Sequence, residues 1–260
     1  MALLLHGWTG TADLNWSSTF EALSRHFRVI ALDHRGHGRG IRAPGPFTLE
    51  ACADDAAALL RVLGVRQALV AGYSMGGPVA QLMWRRHRDL VTGLVLCATS
   101  DHFSSSRWEG LLFSFAPLAA AVSRCVHVGP ALRALELMRR RRSSPPAPLG
   151  QLAAEAILQH DWHAIAEAAG AIGRFDSRPW ISAVDVPTAV VVTTNDHVVS
   201  PCRQRSMGAS VPGASIHEVP ADHDACLHQT DLFVPTLVQA FKDLLSRGSL
   251  IDRPRQAIAA

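Results

Sequence analysis

Short apolar runs bounded by polar loops punctuate the first hundred positions of the chain. Leu3–His6 reads as a buried strand that ends at His6-Gly7, and Phe27–Leu32 as a second that ends at Asp33. Ala68–Ala71 and Gly93–Ala98 read as a third and a fourth. Helical periodicity fills the gaps between them. Ser18 and Glu21 stand at the spacing of a capping box, which predicts a helix from there to about His26. Leu49, Cys52, Ala53, Ala56, Leu60 and Leu63 form an apolar stripe, with Thr48 placed to cap it and Gly64 to end it. A further helix follows Gly76 and runs to about Arg88. Strands alternating with helices predict the α/β class, with a mostly parallel sheet flanked by helices on both faces.

That rhythm stops between about Asp101 and Ala183, where no strand pattern stands out. Trp108, Leu111, Leu112, Phe115, Leu118, Ala119 and Val122 recur at helical spacing. Ala131–Arg142 reads as a helix that ends in the basic run Arg139–Arg142, followed by a Pro/Ser break at Ser143–Pro148. Helical patterning resumes over Leu149–Gly170. Strands return at Pro187–Thr193 and Ser215–Val219, and a last helix runs through about Phe233–Leu245. The expected organisation is a core of residues 1–100 and 184–246, a helical insertion at 101–183 and a loose tail at 247–260.

Composition narrows the class. A chain of 260 residues, 48% hydrophobic and 18% charged, can bury a sizeable core in one α/β domain with an inserted subdomain. A net charge of +3 gives no argument for a nucleic-acid partner. Cys52, Cys97, Cys125, Cys202 and Cys226 are odd in number, widely spaced and without a CxxC, which fits reduced thiols better than a disulfide framework. No apolar stretch is long enough to span a membrane, and Ala2–Leu5 is too short and lacks the basic flank of a leader. A cytoplasmic location without membrane association is expected.

The chemistry gathers at Gly72-Tyr73-Ser74-Met75-Gly76, between a predicted strand and a predicted helix. A chain that turns this sharply strains the residue at its apex and lifts that side chain above the sheet, and glycines on both flanks remove the clashes. A serine hydroxyl is a weak nucleophile at neutral pH. It needs a base within hydrogen-bond reach and an acid to orient that base. Asp196 and His223 follow later strands, in the order Ser, Asp, His, in loops at strand carboxyl ends where open α/β sheets place their sites.

His6-Gly7-Trp8, Asp33-His34-Arg35-Gly36-His37-Gly38, Gly72-Tyr73-Ser74-Met75-Gly76, Asp196 with Pro201, and Asp222-His223 together resemble the α/β-hydrolase superfamily over nearly the whole chain. The likeness is greatest to its capped esterases, carbon–carbon-bond hydrolases and cofactor-free perhydrolases. The resemblance implies Ser74 as nucleophile, Asp196 as acid and His223 as base. It implies an oxyanion hole made by the backbone N–H groups of Trp8 and Met75, and a helical cap at 101–183. No cofactor or metal is implied. Serine at position 74 sets the chain apart from relatives with aspartate there, the haloalkane dehalogenases and epoxide hydrolases.

The chain departs from that pattern in three places. It begins at the strand bearing His6-Gly7, where relatives carry two earlier strands; the strand ending at Asp33 is then expected at a sheet edge, with a native start upstream or a less stable fold. The acid loop reads Thr194-Asn195-Asp196, without the glycine that often precedes the aspartate. Asp222 and Asp224 flank the histidine.

Competing residues have plainer roles. Asp101 is the alternative acid, Asp33 a structural anchor with Arg35 as a possible partner, and His6 a brace for the oxyanion loop. His197 and His217 read as bystanders. The pairs His34/His37 and His160/His163 have metal-like spacing but no third ligand in sight. Phe103, Trp108, Phe113 and Phe115 read as core, with one or two lining an acyl pocket, and Arg139–Arg142 as a solvated helix face. The leading expectation is a serine hydrolase acting on a carboxylic ester, thioester or lactone with a small hydrophobic acyl group. The alternatives are perhydrolysis, acyl transfer or carbon–carbon cleavage by the same residues, and ligand binding without turnover.

Overall fold

Strand β1 (Ala2–Leu5) is buried on both sides, and its side chains alternate between two cores: Leu3 and Leu5 enter one, Ala2 and Leu4 the other. The same two-residue period divides β3 (Ala68–Tyr73), with Val70 opposite Leu69 and Ala71, and β5 (Thr188–Thr193), with Val190 and Val192 opposite Ala189 and Val191. Strands of this kind need a layer of helices on each face. The computed structural model describes residues 1–103 and 148–251. With β2 (Val29–Leu32), β4 (Val91–Cys97) and β6 (Ser215–Val219), these strands form a six-stranded sheet in the order β2-β1-β3-β4-β5-β6, parallel throughout.

Helix α1 (Ala12–Ser24) covers one face through Trp16 and Leu23, while α2 (Leu49–Val62) and α3 (Gly76–Arg86) cover the other through Leu60, Met83 and Trp84. After β4 the described chain resumes with α4 (Pro148–Gln159) and α5 (Trp162–Arg174), whose Ala168, Ala171 and Ile172 join the core beneath α2 and α3. Helix α6 (Pro201–Ser210) follows β5, the short α7 (Ala225–His228) follows β6, and α8 (Thr230–Ile251) closes the α1 face with Phe233, Leu237 and Phe241.

The chain runs from β1 to β2 on one side, then back past β1 to β3 on the other. The loops after β1 and β3 therefore leave the sheet at a switch point, where the crevice of an open α/β sheet forms. Register aligns these ends, since Leu5 pairs with both Leu32 and Gly72. Strand β2 lies at the sheet edge, and all four of its residues are half-buried.

Several boundaries differ from the sequence reading. The first helix begins at Ala12, capped by Thr11, whose hydroxyl accepts the Leu14 N–H at 3.1 Å; Ser18 lies inside it and donates to the Cys226 carbonyl. The run Leu149–Gly170 is two helices parted at His160-Asp161, where Asp161 caps the second by accepting from the N–H groups of His163 and Ala164. Helix α6 was not foreseen, because its sequence has little amphipathic pattern; Pro201 at its first turn was the available signal. The last helix continues to Ile251. The expected helices over Trp108–Val122 and Ala131–Arg142, the Arg139–Arg142 run, most of the Ser143–Pro148 break and residues 252–260 lie outside the described residues.

Thr48 caps α2 as its position suggests, its hydroxyl accepting the Ala51 N–H at 3.1 Å. Thr48→Ala is expected to lower the unfolding free energy by about 1 kcal/mol, read from urea titration, with the slope unchanged.

Candidate active site

A Cβ on Gly72 would stand 2.1 Å from the Gly76 carbonyl oxygen, and one on Gly76 would stand 2.1 Å from that of Leu5. Only glycine lets the start of α3 lie this close upon β1 and β3. Ser74, at the apex, is driven to φ +50°, a left-handed conformation that costs a non-glycine residue about 1–3 kcal/mol. Its peptide is held in place on both sides. The Ser74 N–H donates to the Cys97 carbonyl at 2.9 Å, and the Thr99 hydroxyl donates to the Ser74 carbonyl at 2.8 Å.

The structure brings the three residues singled out for nucleophilic chemistry into one hydrogen-bonded chain. His223 Nδ1 lies 2.7 Å from Asp196 Oδ2, and His223 Nε2 lies 3.0 Å from Ser74 Oγ. A carboxylate can only accept, so Nδ1 carries the proton and Nε2 is left to accept from the serine hydroxyl. Asp196 is only 4% exposed yet well supplied with donors. Its Oδ1 accepts the N–H groups of Val198 and Val199, both at 2.8 Å. Its Oδ2 also accepts from the Thr193 hydroxyl at 2.7 Å and Gln204 Nε2 at 3.1 Å. Burial pushes the carboxyl pKa upward. The hydrogen bond from His223, its charge, and the bonds from Val199 and Thr193 outweigh burial and hold it below the ordinary value.

The loop bearing His223 is fixed by Tyr73, whose hydroxyl donates to the His223 carbonyl at 2.6 Å. Burial and the nearby Cys226 thiol raise the phenol well above its ordinary pKa, so it remains a donor. Of the two flanking residues, Asp224 turns its carboxylate to His228 Nε2 at 3.5 Å, and the Asp222 backbone N–H donates to Gln229 Oε1 at 3.1 Å. Trp8, Leu14, Asn15, Tyr73, Cys226 and Leu227 line a cavity of about 150 Å³ beside Ser74 and His223. Burial pushes the Cys226 thiol up to about 12, so it does not compete as a nucleophile.

The loop after β1 lies against the serine, since a Cβ on Gly7 would be 3.2 Å from Ser74 Cβ. Asn15 Oδ1 accepts the Gly7 N–H at 2.8 Å, and the Gly10 N–H closes the turn onto the Gly7 carbonyl at 3.1 Å. Thr9 inside this turn has φ +57°, and the Trp8 indole donates to the Ile165 carbonyl of α5 at 2.9 Å. No backbone carbonyl takes the N–H of Trp8 or of Met75 among the described residues.

His6 is fully buried behind this loop. Its Nδ1 lies 2.7 Å from the Gly7 carbonyl, and its Nε2 accepts the His34 N–H at 2.9 Å. The rings of His34 and His37 stand 4.4 and 5.2 Å from it, and His160 stands 5.5 Å from His37. The two pairs with metal-like spacing are thus split: His34, His37 and His160 gather around His6, while His163 faces Glu167 at 3.1 Å. Among the described residues no group of three or more His, Cys, Asp or Glu is arranged to hold a metal ion.

Asp101 faces His102 at 2.7 Å and accepts from Ser100. Asp33 anchors its loop by accepting the N–H groups of Ala12 and Arg39, at 2.7 and 2.8 Å. Its cationic neighbour is Arg39 rather than the expected Arg35, which forms a two-pronged pair with Asp55 on α2. His217 faces Asp243 at 3.2 Å, away from the serine chain. Asn15, Gln204, Thr193 and Tyr73 were not singled out from the sequence. The one signal for Asn15 was its helical spacing from Ala12, Trp16, Thr19 and Leu23, the face the first helix buries.

Residues 3–229 match the family described as the alpha/beta hydrolase fold. A pimeloyl-[acyl-carrier protein] methyl ester esterase of Photorhabdus laumondii is 37% identical over 110 residues, which are 42% of this chain and 40% of that protein. The match thus spans well under half the length of that curated relative. Among solved structures, a thermophilic esterase from Thermogutta terrifontis superposes with a TM-score of 0.76 at 28% identity, over 95% of this chain and 89% of the other. The enol-lactonase from Burkholderia xenovorans LB400 superposes with a TM-score of 0.76 at 26% identity, over 93% and 90%. Among the described residues no helix is long and apolar enough to cross a membrane.

The histidine cluster makes stability sensitive to acid. Burial first, then the neighbouring His34, lower His6 from 6.5 to about 3; burial, then His37, lower His34 to about 3. Burial lowers His37 and His160 as well. A group whose pKa is depressed by folding stabilises fully above its unfolded value, and that stability is lost as pH falls through the folded one. Urea midpoints are therefore expected to hold above about pH 6.5 and to fall steadily below it. A flat profile from pH 7 to 5 would refute the assignment.

Proposed function

The chain belongs to the alpha/beta hydrolase fold family, and on that premise we propose that it is a serine hydrolase cleaving a small carboxylic ester or related acyl compound through an acyl-enzyme. The observation that carries this reading is the continuous chain from Asp196 through His223 to Ser74, at 2.7 and 3.0 Å.

In this mechanism Ser74 Oγ attacks the substrate carbonyl as His223 Nε2 takes the hydroxyl proton. Asp196 keeps Nδ1 protonated and stabilises the imidazolium that forms. The carbonyl oxygen, now negative, is held by the backbone N–H groups of Met75 and Trp8. Two features support that role: the Gly7–Gly10 turn packs against Ser74, and neither N–H is taken by a backbone carbonyl. His223 then returns the proton to the leaving alkoxide or thiolate. Water, deprotonated by the same nitrogen, clears the acyl group from Ser74. The reaction so written calls for no cofactor.

The substrate class rests on the ester and lactone chemistry named for the relatives and on the cavity beside Ser74, whose 150 Å³ and lining by Leu14, Tyr73 and Leu227 suit a short apolar group. Residues 101–183 are read as a cap over this cavity. The Trp8 indole bond to Ile165 supports that reading by joining the oxyanion loop to α5.

A fluorophosphonate probe is expected to label the wild-type protein and to leave Ser74→Ala unlabelled. For p-nitrophenyl esters, Ser74→Ala should cut kcat by about 10⁴-fold or more, and acetate and butyrate should be turned over faster than long-chain esters. A folded wild-type protein that takes no label, or a labelled Ser74→Ala, would overturn the assignment.

A further inference from the structure

His160 is buried at 8% exposure in the joint between α4 and α5, far along the chain from the residues that form the serine site. Both of its ring nitrogens are engaged. Nδ1 lies 3.0 Å from the Gly38 N–H, and Nε2 lies 3.0 Å from the Thr9 carbonyl oxygen. The first partner can only donate and the second can only accept, which fixes one neutral tautomer with the proton on Nε2. The joint itself is tied down independently. The Asp161 N–H donates to the Gly36 carbonyl at 2.8 Å, and the Arg42 guanidinium donates to the Gln159 carbonyl. The ring is therefore presented to Thr9 from a fixed base.

Thr9 is where a fixed partner is needed. It is β-branched and held at φ +57°, a conformation such residues avoid unless the surroundings impose it. On the near side of the turn, Asn15 takes the Gly7 N–H. On the far side, the bond from His160 holds the Thr9 carbonyl. The Trp8 peptide lies between these two clamps, so the direction of its N–H depends on both.

We propose that His160 is a positioning residue for the oxyanion hole, acting through Thr9 to aim the Trp8 N–H. This rests on the serine-hydrolase reading above. His160 does not touch the substrate; it couples the α4–α5 joint to the transition state.

The test uses three variants of the full chain. In His160→Gln the amide nitrogen can reach Thr9 as Nε2 does, and the Gly38 bond is lost. In His160→Asn the side-chain oxygen can accept from Gly38 as Nδ1 does, and the Thr9 bond is lost. His160→Phe loses both. Gln and Asn each give up one hydrogen bond, so a merely structural role would treat them alike. With p-nitrophenyl butyrate, His160→Gln is expected to keep kcat within about threefold, and His160→Asn and His160→Phe to lose about 10- to 100-fold, with KM within about twofold throughout. Affinity for a trifluoromethyl ketone, which forms a tetrahedral adduct with its oxyanion, should fall in parallel with kcat. Equal kcat in the Gln and Asn variants, or a loss confined to KM, would overturn the proposal. An inactive wild type that takes no fluorophosphonate would instead overturn the serine-hydrolase reading, so the two failures are distinct. Should His160→Phe not fold, the Gln and Asn pair decides alone.

Discussion

The site depends first on a place where no side chain fits. Gly72 and Gly76 let the start of α3 touch the backbone of β1 and β3, and any Cβ there would overlap a carbonyl oxygen. That closeness throws Ser74 into a left-handed conformation and lifts its hydroxyl clear of the sheet. The strain at one residue is borne by the packing of three buried elements, which is why it can persist. Everything else in the site is arranged around a serine whose position is fixed by this close backbone packing and by a hydrogen bond on each side of its peptide.

Two kinds of support surround that point. Asp196 is surrounded by donors from β5, its own loop and α6, so that its carboxylate stays charged while buried. The loop after β1 is held by a buried asparagine, by a histidine from the α4–α5 joint and by an indole bond to α5. The first support concerns charge, and the second concerns the direction of peptide groups. Apart from the exposed Trp8, the neutral polar side chains involved, Asn15, His160, Thr193 and Gln204, are buried and hydrogen-bonded, the condition under which such groups order a structure instead of costing stability.

Much of this arrangement was legible in the residues. Alternating apolar runs and stripes located all six strands within about two residues, and the Gly-x-Ser-x-Gly turn with later Asp and His marked the residues that the structure brings together. The failures have physical causes. Ser18 and Glu21 imitate a cap, but the helix starts earlier, at Ala12, where the Thr11 hydroxyl accepts the Leu14 N–H and Asp33 accepts the Ala12 N–H. Helix α6 escaped notice because its exposed face and its buried Gln204 are both polar, leaving no stripe to detect. Arg35 was matched to Asp33 by nearness in sequence, whereas its partner Asp55 lies a helix away. The spacing of His34/His37 and His160/His163 holds no sign of the cluster in which His34, His37 and His160 gather near the buried His6. Roles such as those of Asn15 and His160 depend on contacts across the fold, to which local pattern is blind.

The bond between Ser74 and His223 spans 149 positions, the Tyr73 bond to the His223 carbonyl spans 150, and the Trp8 bond to Ile165 spans 157. No contiguous stretch of the chain therefore contains a working fragment of the site. Each such closure draws distant segments together before its contacts stabilise anything, an entropic cost that slows folding. On the proposed reading, reactivity at Ser74 reports on the chain as a whole: a molecule in which these distant segments have not met would keep its serine but lack the hydrogen-bonded chain from Asp196 through His223.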